Sequence, residues 1–258
     1  MRRQTINSDN AEMEQHGNNE EFVYFNGFVK TEPPKHKLDT SMPGYNLPPP
    51  DDAWAARSKI KSVTPEMILN DCSYLRAYAD KIADTIKNTQ VSGPVGLKSH
   101  LQIALDDMHQ AFLQCHQNGF KVMLVGNGGS SAICSHVAID LCKNAGIRAI
   151  SLNDFPSLTC LSNDYGYDQV FAKQIEYHAK PEDVLVCIST GGKSANIINA
   201  IKAFNDIGGT KTYTFTGMLP DNTLRTLGAT NFYTPSRDYG IVEIAHLTLL
   251  HSLCPCEV

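Results

Sequence analysis

The sequence predicts an α/β fold: a parallel five-stranded sheet with helices on both faces, preceded by two helices and an irregular N-terminal extension. Two observations predict it. From Lys121 onward, short β-rich runs alternate with helical stretches, the rhythm of strand–helix–strand units around a parallel sheet. Two of those runs also open directly into loops rich in glycine and hydroxyl groups that lead into helices, and such loops lie where open α/β sheets place their ligands.

The extension comes first. Residues 1–63 mix acidic positions (Glu12, Glu14, Glu20, Glu21) with prolines (Pro33, Pro34, Pro43, Pro48, Pro49, Pro50) and sustain no apolar period. Such a segment buries too little surface to offset its ordering entropy, so 1–63 reads as irregular and 64–258 as the folded domain. A short aromatic patch, Phe22-Val23-Tyr24-Phe25, is free to dock elsewhere. Thr64-Pro65-Glu66 then supplies a helix N-cap with proline at the first helical position, and Ile68, Cys72, Leu75, Ala79, Ile82 and Ile86 follow at helical spacing. A second helix carries Leu97, Leu101, Leu105, Met108, Phe112 and Cys115 along one face and stops at Asn118-Gly119, where glycine can take the left-handed cap. The five strands are expected at 121–125, 148–152, 183–188, 211–216 and 231–234, and a last helix at about 240–253.

Composition narrows the function. With 22 basic and 27 acidic side chains the net charge is -5, so the chain lacks the basic excess that would draw it to nucleic acid or an anionic membrane. No apolar run is long enough for a signal peptide or a membrane span, which makes the cytoplasm the expected location. Eight cysteines are scattered through apolar runs such as Val186-Cys187-Ile188 and do not form a disulfide framework. The closing Cys254-Pro255-Cys256 has no second cysteine pair and lacks zinc-ribbon spacing. A small-molecule protein is the class that remains.

The first loop is Gly126-Asn127-Gly128-Gly129-Ser130-Ser131 after Val125, and the second is Ser189-Thr190-Gly191-Gly192-Lys193-Ser194 after Ile188. Both gather backbone amides and hydroxyls at a helix N-terminus, which favours an anion. Neither fits a nucleotide fingerprint. A P-loop needs a glycine where Cys187 stands, and the dinucleotide motif needs glycine or alanine at Ser131.

Four further side chains have the chemistry for catalysis or a metal. His136 and Asp140 are four apart on one helix and share a face; Glu243 and His251 are eight apart on the last helix, on neighbouring stripes. Carboxylate with imidazole suits proton transfer between adjacent carbons through an enediol. Two histidines with two carboxylates are also a credible zinc set. A histidine in an apolar helix such as 247–253 is, taken alone, more often a core residue bonded to a carbonyl. His246 lies well round the helix from His251 and is expected to tolerate change.

Gly126-Asn127-Gly128-Gly129-Ser130, Ser162-Asn163-Asp164-Tyr165-Gly166-Tyr167 and Ile188-Ser189-Thr190-Gly191-Gly192-Lys193-Ser194-Ala195-Asn196 together resemble the successive signatures of SIS-domain (sugar isomerase) phosphoheptose isomerases. The resemblance covers about 65–253. It implies a flavodoxin-like three-layer sandwich that isomerises a ketose phosphate to an aldose phosphate, sedoheptulose 7-phosphate being the expected substrate. By resemblance, Ser130, Ser189, Thr190, Gly191 and Ser194 with Gly128 and Gly129 hold the sugar phosphate, and Asn127 and Asp164 lie nearer the sugar. Asp140 would be the base and His251 the acid, while His136 and Glu243 complete one zinc site per active centre and Glu243 also meets substrate. The family carries glutamate at 140, glutamine at 243, a serine at 191 and a small polar residue at 193, so this chain departs at all four. A homotetramer with sites at subunit boundaries is also implied. The alternative is a non-catalytic SIS protein that binds sugar phosphate or a protein partner in a regulatory role.

Overall fold

Val122–Gly126 and Val184–Ser189 are buried along their whole length, as strands covered on both faces must be. They form the centre of the sheet in a computed structural model that describes residues 24–25, 28–29, 73–93 and 98–254. The chain divides into two compact units, Met1–Val63 and Thr64–Val258. The first holds a two-residue antiparallel pair, β1 (Tyr24–Phe25) and β2 (Phe28–Val29). The predicted start of the first helix at Thr64 and the head of the second at Leu97 lie outside the described residues, as do 255–258.

In the second unit, α1 (Ser73–Lys87) is followed by a short hairpin, β3 (Gln90–Ser92) and β4 (Lys98–Ser99), and then α2 (Leu101–Gln117). Gly119 has φ +83 and its amide bonds His116 O at 2.9 Å, ending α2 as glycine at that position allows. The remaining elements are β5 (Val122–Gly126), α3 (Gly129–Lys143), β6 (Ala149–Ser151), α4 (Phe155–Tyr165), α5 (Val170–His178), β7 (Val184–Ser189), α6 (Ala195–Asp206), β8 (Lys211–Thr216), β9 (Thr230–Tyr233) and α7 (Tyr239–His251).

The sheet runs β4-β3-β9-β8-β7-β5-β6. β6, β5, β7, β8 and β9 are parallel, at the five places the sequence indicates. The count of five strands, with both leading helices ahead of the first, needs correction. β3 joins β9 antiparallel and β4 continues the edge, giving this sheet seven strands among the described residues and placing a hairpin between α1 and α2.

Alternation along the strands divides the core in two. Val122, Leu124, Val184, Val186, Ile188 and Phe215 face one way, against Met108 and Phe112 of α2, Cys134, Val137 and Leu141 of α3 and Leu249 and Leu250 of α7. Met123, Val125, Leu185 and Cys187 face the other, against Leu161, Phe171, Ile175, Ile201 and Phe204 of α4 to α6. This is the three-layer arrangement. It lays α3 and α7 on the same face, and α1 packs along α7. His109 of α2 bonds Leu253 O through Nδ1 at 3.0 Å, fixing the end of α7 just past His251. Among the described residues, no helix is long and apolar enough to cross a membrane.

Candidate active site

β5 and β7 are register neighbours, Gly126 beside Ile188, so the two glycine-rich loops leave the sheet side by side. Gly128 caps α3 with φ 55 and ψ -123, and no side chain caps that helix. Ser194 caps α6 in extended backbone, also without a side-chain cap bond. Its Oγ lies instead 3.3 Å from Ser189 Oγ. Both helices thus begin with uncapped amides at the positive end of their dipoles.

Side chains tie the loops together. Asn127 Nδ2 donates to Asn196 Oδ1 at 2.9 Å and Asn196 Nδ2 returns the bond to Asn127 Oδ1 at 2.9 Å. Tyr167 Oη donates to the same Asn127 oxygen at 2.9 Å. Gly192, at φ +62, lies so close to Asn222 that any Cβ would overlap its amide, and Leu224 N bonds Gly192 O at 3.0 Å. Only glycine satisfies both the backbone angle and the approach.

Between the loops is a cavity of about 470 Å³ lined by Asn127, Ser130, Ile188, Ser189, Thr190, Gly191, Lys193, Ser194, Tyr239 and Glu243. Thr190 is 5 % exposed and its Oγ1 is buried with no hydrogen-bond partner, a group that a ligand oxygen would satisfy. Glu243 reaches over the start of α3, both carboxylate oxygens 2.6 Å from where a Cβ on Gly129 would stand. Burial pushes its carboxyl above the usual range.

Further along α3 and α7 is a second cluster. Asp140 Oδ2 stands 3.4 Å from His136 Nε2 and 3.3 Å from His251 Nε2, and the two rings are 4.9 Å apart. His251 Nε2 is buried without a hydrogen-bond partner. The spacing suits an ion. Two ligand atoms each about 2.0–2.1 Å from a tetrahedral zinc stand roughly 3.3 Å apart, and one atom from each of the three residues lies within 4.8 Å of the others.

The structure thus separates what the sequence groups. Of the four candidate metal ligands it brings together His136, Asp140 and His251. Glu243, expected at both substrate and metal, lines the cavity over the start of α3 and is not among the three clustered side chains, eight residues of helix being about 12 Å of rise. Asn127, Ser130, Ser189, Thr190, Gly191 and Ser194 line the cavity as expected, and Gly128 and Gly129 form the turn into α3. Asp164 does not line it. It is exposed at the end of α4, bonded to Asn163 Nδ2 at 2.9 Å.

His246 is also corrected. It is fully buried, donates from Nε2 to Thr216 O at 3.1 Å and stacks edge-on to Phe215, so it is a core residue that will not tolerate change freely. Two contributors escaped the sequence reading. Tyr239 lines the cavity, for which its place after the Asp238 cap of α7 was the available signal. Asn153 Nδ2 donates to Ser131 Oγ at 2.8 Å and Ser135 Oγ at 2.6 Å, bracing α3.

A three-layer α/β domain with paired anion loops at adjacent strand ends is the build of a SIS domain, and residues 95–217 match that family. The chain is 36% identical over 160 residues to the phosphoheptose isomerase of Aliarcobacter butzleri, covering 60% of this chain and 84% of that one. It is 33% identical over 184 residues to the phosphoheptose isomerase of Helicobacter pylori strain P12, covering 68% and 95%. Among solved structures, the phosphoheptose isomerase of Neisseria gonorrhoeae superposes with a TM-score of 0.59 at 28% identity, over 70% of this chain and 96% of that one. That of Francisella tularensis gives 0.61 at 26%, over 74% and 97%. The chain belongs to the phosphoheptose isomerase family.

Proposed function

We propose that this chain is an aldose–ketose isomerase that converts sedoheptulose 7-phosphate to a glycero-manno-heptose 7-phosphate through an enediol. One observation carries the reading: a hydroxyl-lined anion cavity and a carboxylate–imidazole cluster lie at opposite ends of the same pair of helices. On the rise of an α-helix, His136 is roughly 9 Å and Asp140 roughly 15 Å beyond Ser130 along α3. A sugar phosphate anchored at Ser189, Thr190 and Ser194 would extend its carbonyl end along α3 toward that cluster.

In this reading Asp140 takes the proton from the carbon beside the carbonyl through the carboxylate oxygen left free, and His251 serves the substrate oxygen as acid in the ion-free site but as a ligand once its Nε2 holds the ion. The three-atom cluster and the orphaned His251 Nε2 fit a divalent ion, in this reading one zinc per active centre, which His136, Asp140 and His251 would hold. When bound it would polarise the carbonyl and steady the enediolate. Asn127, held by Asn196 and Tyr167, presents its amide edge to the sugar. Purified protein incubated with a panel of ketose phosphates, with and without zinc, tests the reading: turnover of the seven-carbon substrate is expected, and inertness toward all of them would defeat it. A non-catalytic regulatory role is disfavoured by the presence of His251, while the departures at Asp140 and Gly191 are what keep it as the alternative.

Two further parts belong to the same proposal. His136 and His251 are 54% and 41% exposed in a single chain, with Ile139 exposed beside them; this supports a tetramer in which a second copy covers the cluster, which light scattering would measure. Residues 1–63 are proposed to be an appendage dispensable for folding of 64–258, so a chain beginning near Ser62 should melt cooperatively at about the full-length temperature. We place the enzyme in the cytoplasm with its sugar-phosphate substrate.

A further inference from the structure

The cavity between the loops carries one cationic and one acidic side chain, Lys193 and Glu243. Neither has an ion-pair partner among the described residues. The other polar side chains on its wall are uncharged: the hydroxyls of Ser130, Ser189, Thr190, Ser194 and Tyr239, and the amide of Asn127. A phosphate monoester is close to a dianion at neutral pH, and a carboxylate in the same small cavity opposes it. Hydroxyls and helix-terminal amides supply hydrogen bonds but no net charge.

Thr190 Oγ1, buried and unpartnered, marks the side of the cavity where the ligand oxygens belong. Lys193 follows it on the same loop, one residue before the Ser194 cap of α6. The start of α3 is covered by Glu243 against Gly129, which leaves the Ser189–Ser194 loop as the face open to an anion.

Resting on the isomerase reading above, we propose that Lys193 is a substrate-binding residue that sets the cavity's preference for a phosphate monoester by offsetting the carboxylate of Glu243. An ammonium on a flexible stem serves this role as a point charge. The two side chains then act as a compensating pair: the cost of losing the lysine depends on whether the carboxylate is present.

The test is a double-mutant cycle on the full chain, read first by calorimetry with inorganic phosphate. Lys193→Ser should weaken phosphate binding about tenfold or more, and Lys193→Arg, which keeps the charge, should restore most of it. In the Glu243→Gln background the same Lys193→Ser change should cost clearly less. In turnover of a ketose phosphate, Lys193→Ser should raise KM by more than it lowers kcat. Unchanged phosphate affinity in Lys193→Ser, or an equal or larger cost in the Glu243→Gln background, overturns the proposal. Phosphate binding that follows the cycle in a protein inert toward every ketose phosphate would sink the isomerase reading and leave this inference standing.

Discussion

Asp140 Oδ2 faces His251 Nε2 at 3.3 Å, a polar contact between the far halves of α3 and α7. The carboxylate is one-fifth exposed and also faces His136 at 3.4 Å, so one oxygen is shared by two imidazoles.

A base held this way is sensitive to loss of charge. Asp140→Asn keeps the size of the side chain and removes its basicity, and is expected to lower kcat by about 10²-fold or more. Circular dichroism should show an unchanged fold. Wild-type turnover in that variant would remove Asp140 from the chemistry. Asp140→Glu lengthens the side chain by one methylene. In a site adjusted to aspartate it should leave activity level or lower, since misplacement near an ångström is costly.

Metal content reads the same cluster independently of turnover. His251→Ala and His136→Ala each delete one of three donors, so zinc measured by elemental analysis after dialysis should fall well below one per chain in both. Glu243→Gln, outside the cluster, should retain it. Equal zinc in all four proteins would show that the ion sits elsewhere.

His246 makes a prediction about pH. Burial pushes its imidazole down to about 4, whereas an unfolded histidine titrates near 6.5. As pH falls through about 6.5 the unfolded chain takes up a proton that the native core refuses, so stability from this group is complete above 6.5 and drains away toward pH 4. At pH 5 the loss is about 2 kcal/mol. Denaturant unfolding at pH 7.5 and 5 should show a larger drop in wild type than in His246→Leu. The variant should already be weaker at pH 7.5 by about 1–3 kcal/mol, because the Thr216 carbonyl loses its donor.

Gly192→Ala combines a left-handed backbone with overlap on Asn222, whose amide also bonds Leu219 O at 2.8 Å. The expected cost is about 2 kcal/mol or more, a fall in Tm of roughly 4 °C or more. A Tm within one degree of wild type would mean the loop has another conformation.

The five parallel strands were legible because strands buried on both faces read as unbroken apolar runs, Val184 to Ile188 above all. The β3–β4 hairpin was not: strands of three and two residues carry no period, and Leu97 continues the spacing of the helix that follows. Helical periodicity told His246 from His251 by direction, but direction alone does not say which side is core. Glu243 was grouped with His251 by family likeness and by neighbouring stripes, and two turns of helix separate the side chains more than that grouping allows. Asp164 came from motif likeness, and no local pattern shows that it stands exposed at the end of α4 and not among the residues lining the cavity.

The outermost strands of the sheet are β4, with two residues, and β6, with three. An edge that short exposes too few unpaired amides and carbonyls to recruit a strand from a neighbouring molecule. The hairpin that covers β9 therefore does more than widen the sheet. It replaces the four-residue border of β9 with a two-residue one, which leaves less unpaired backbone for another sheet to extend.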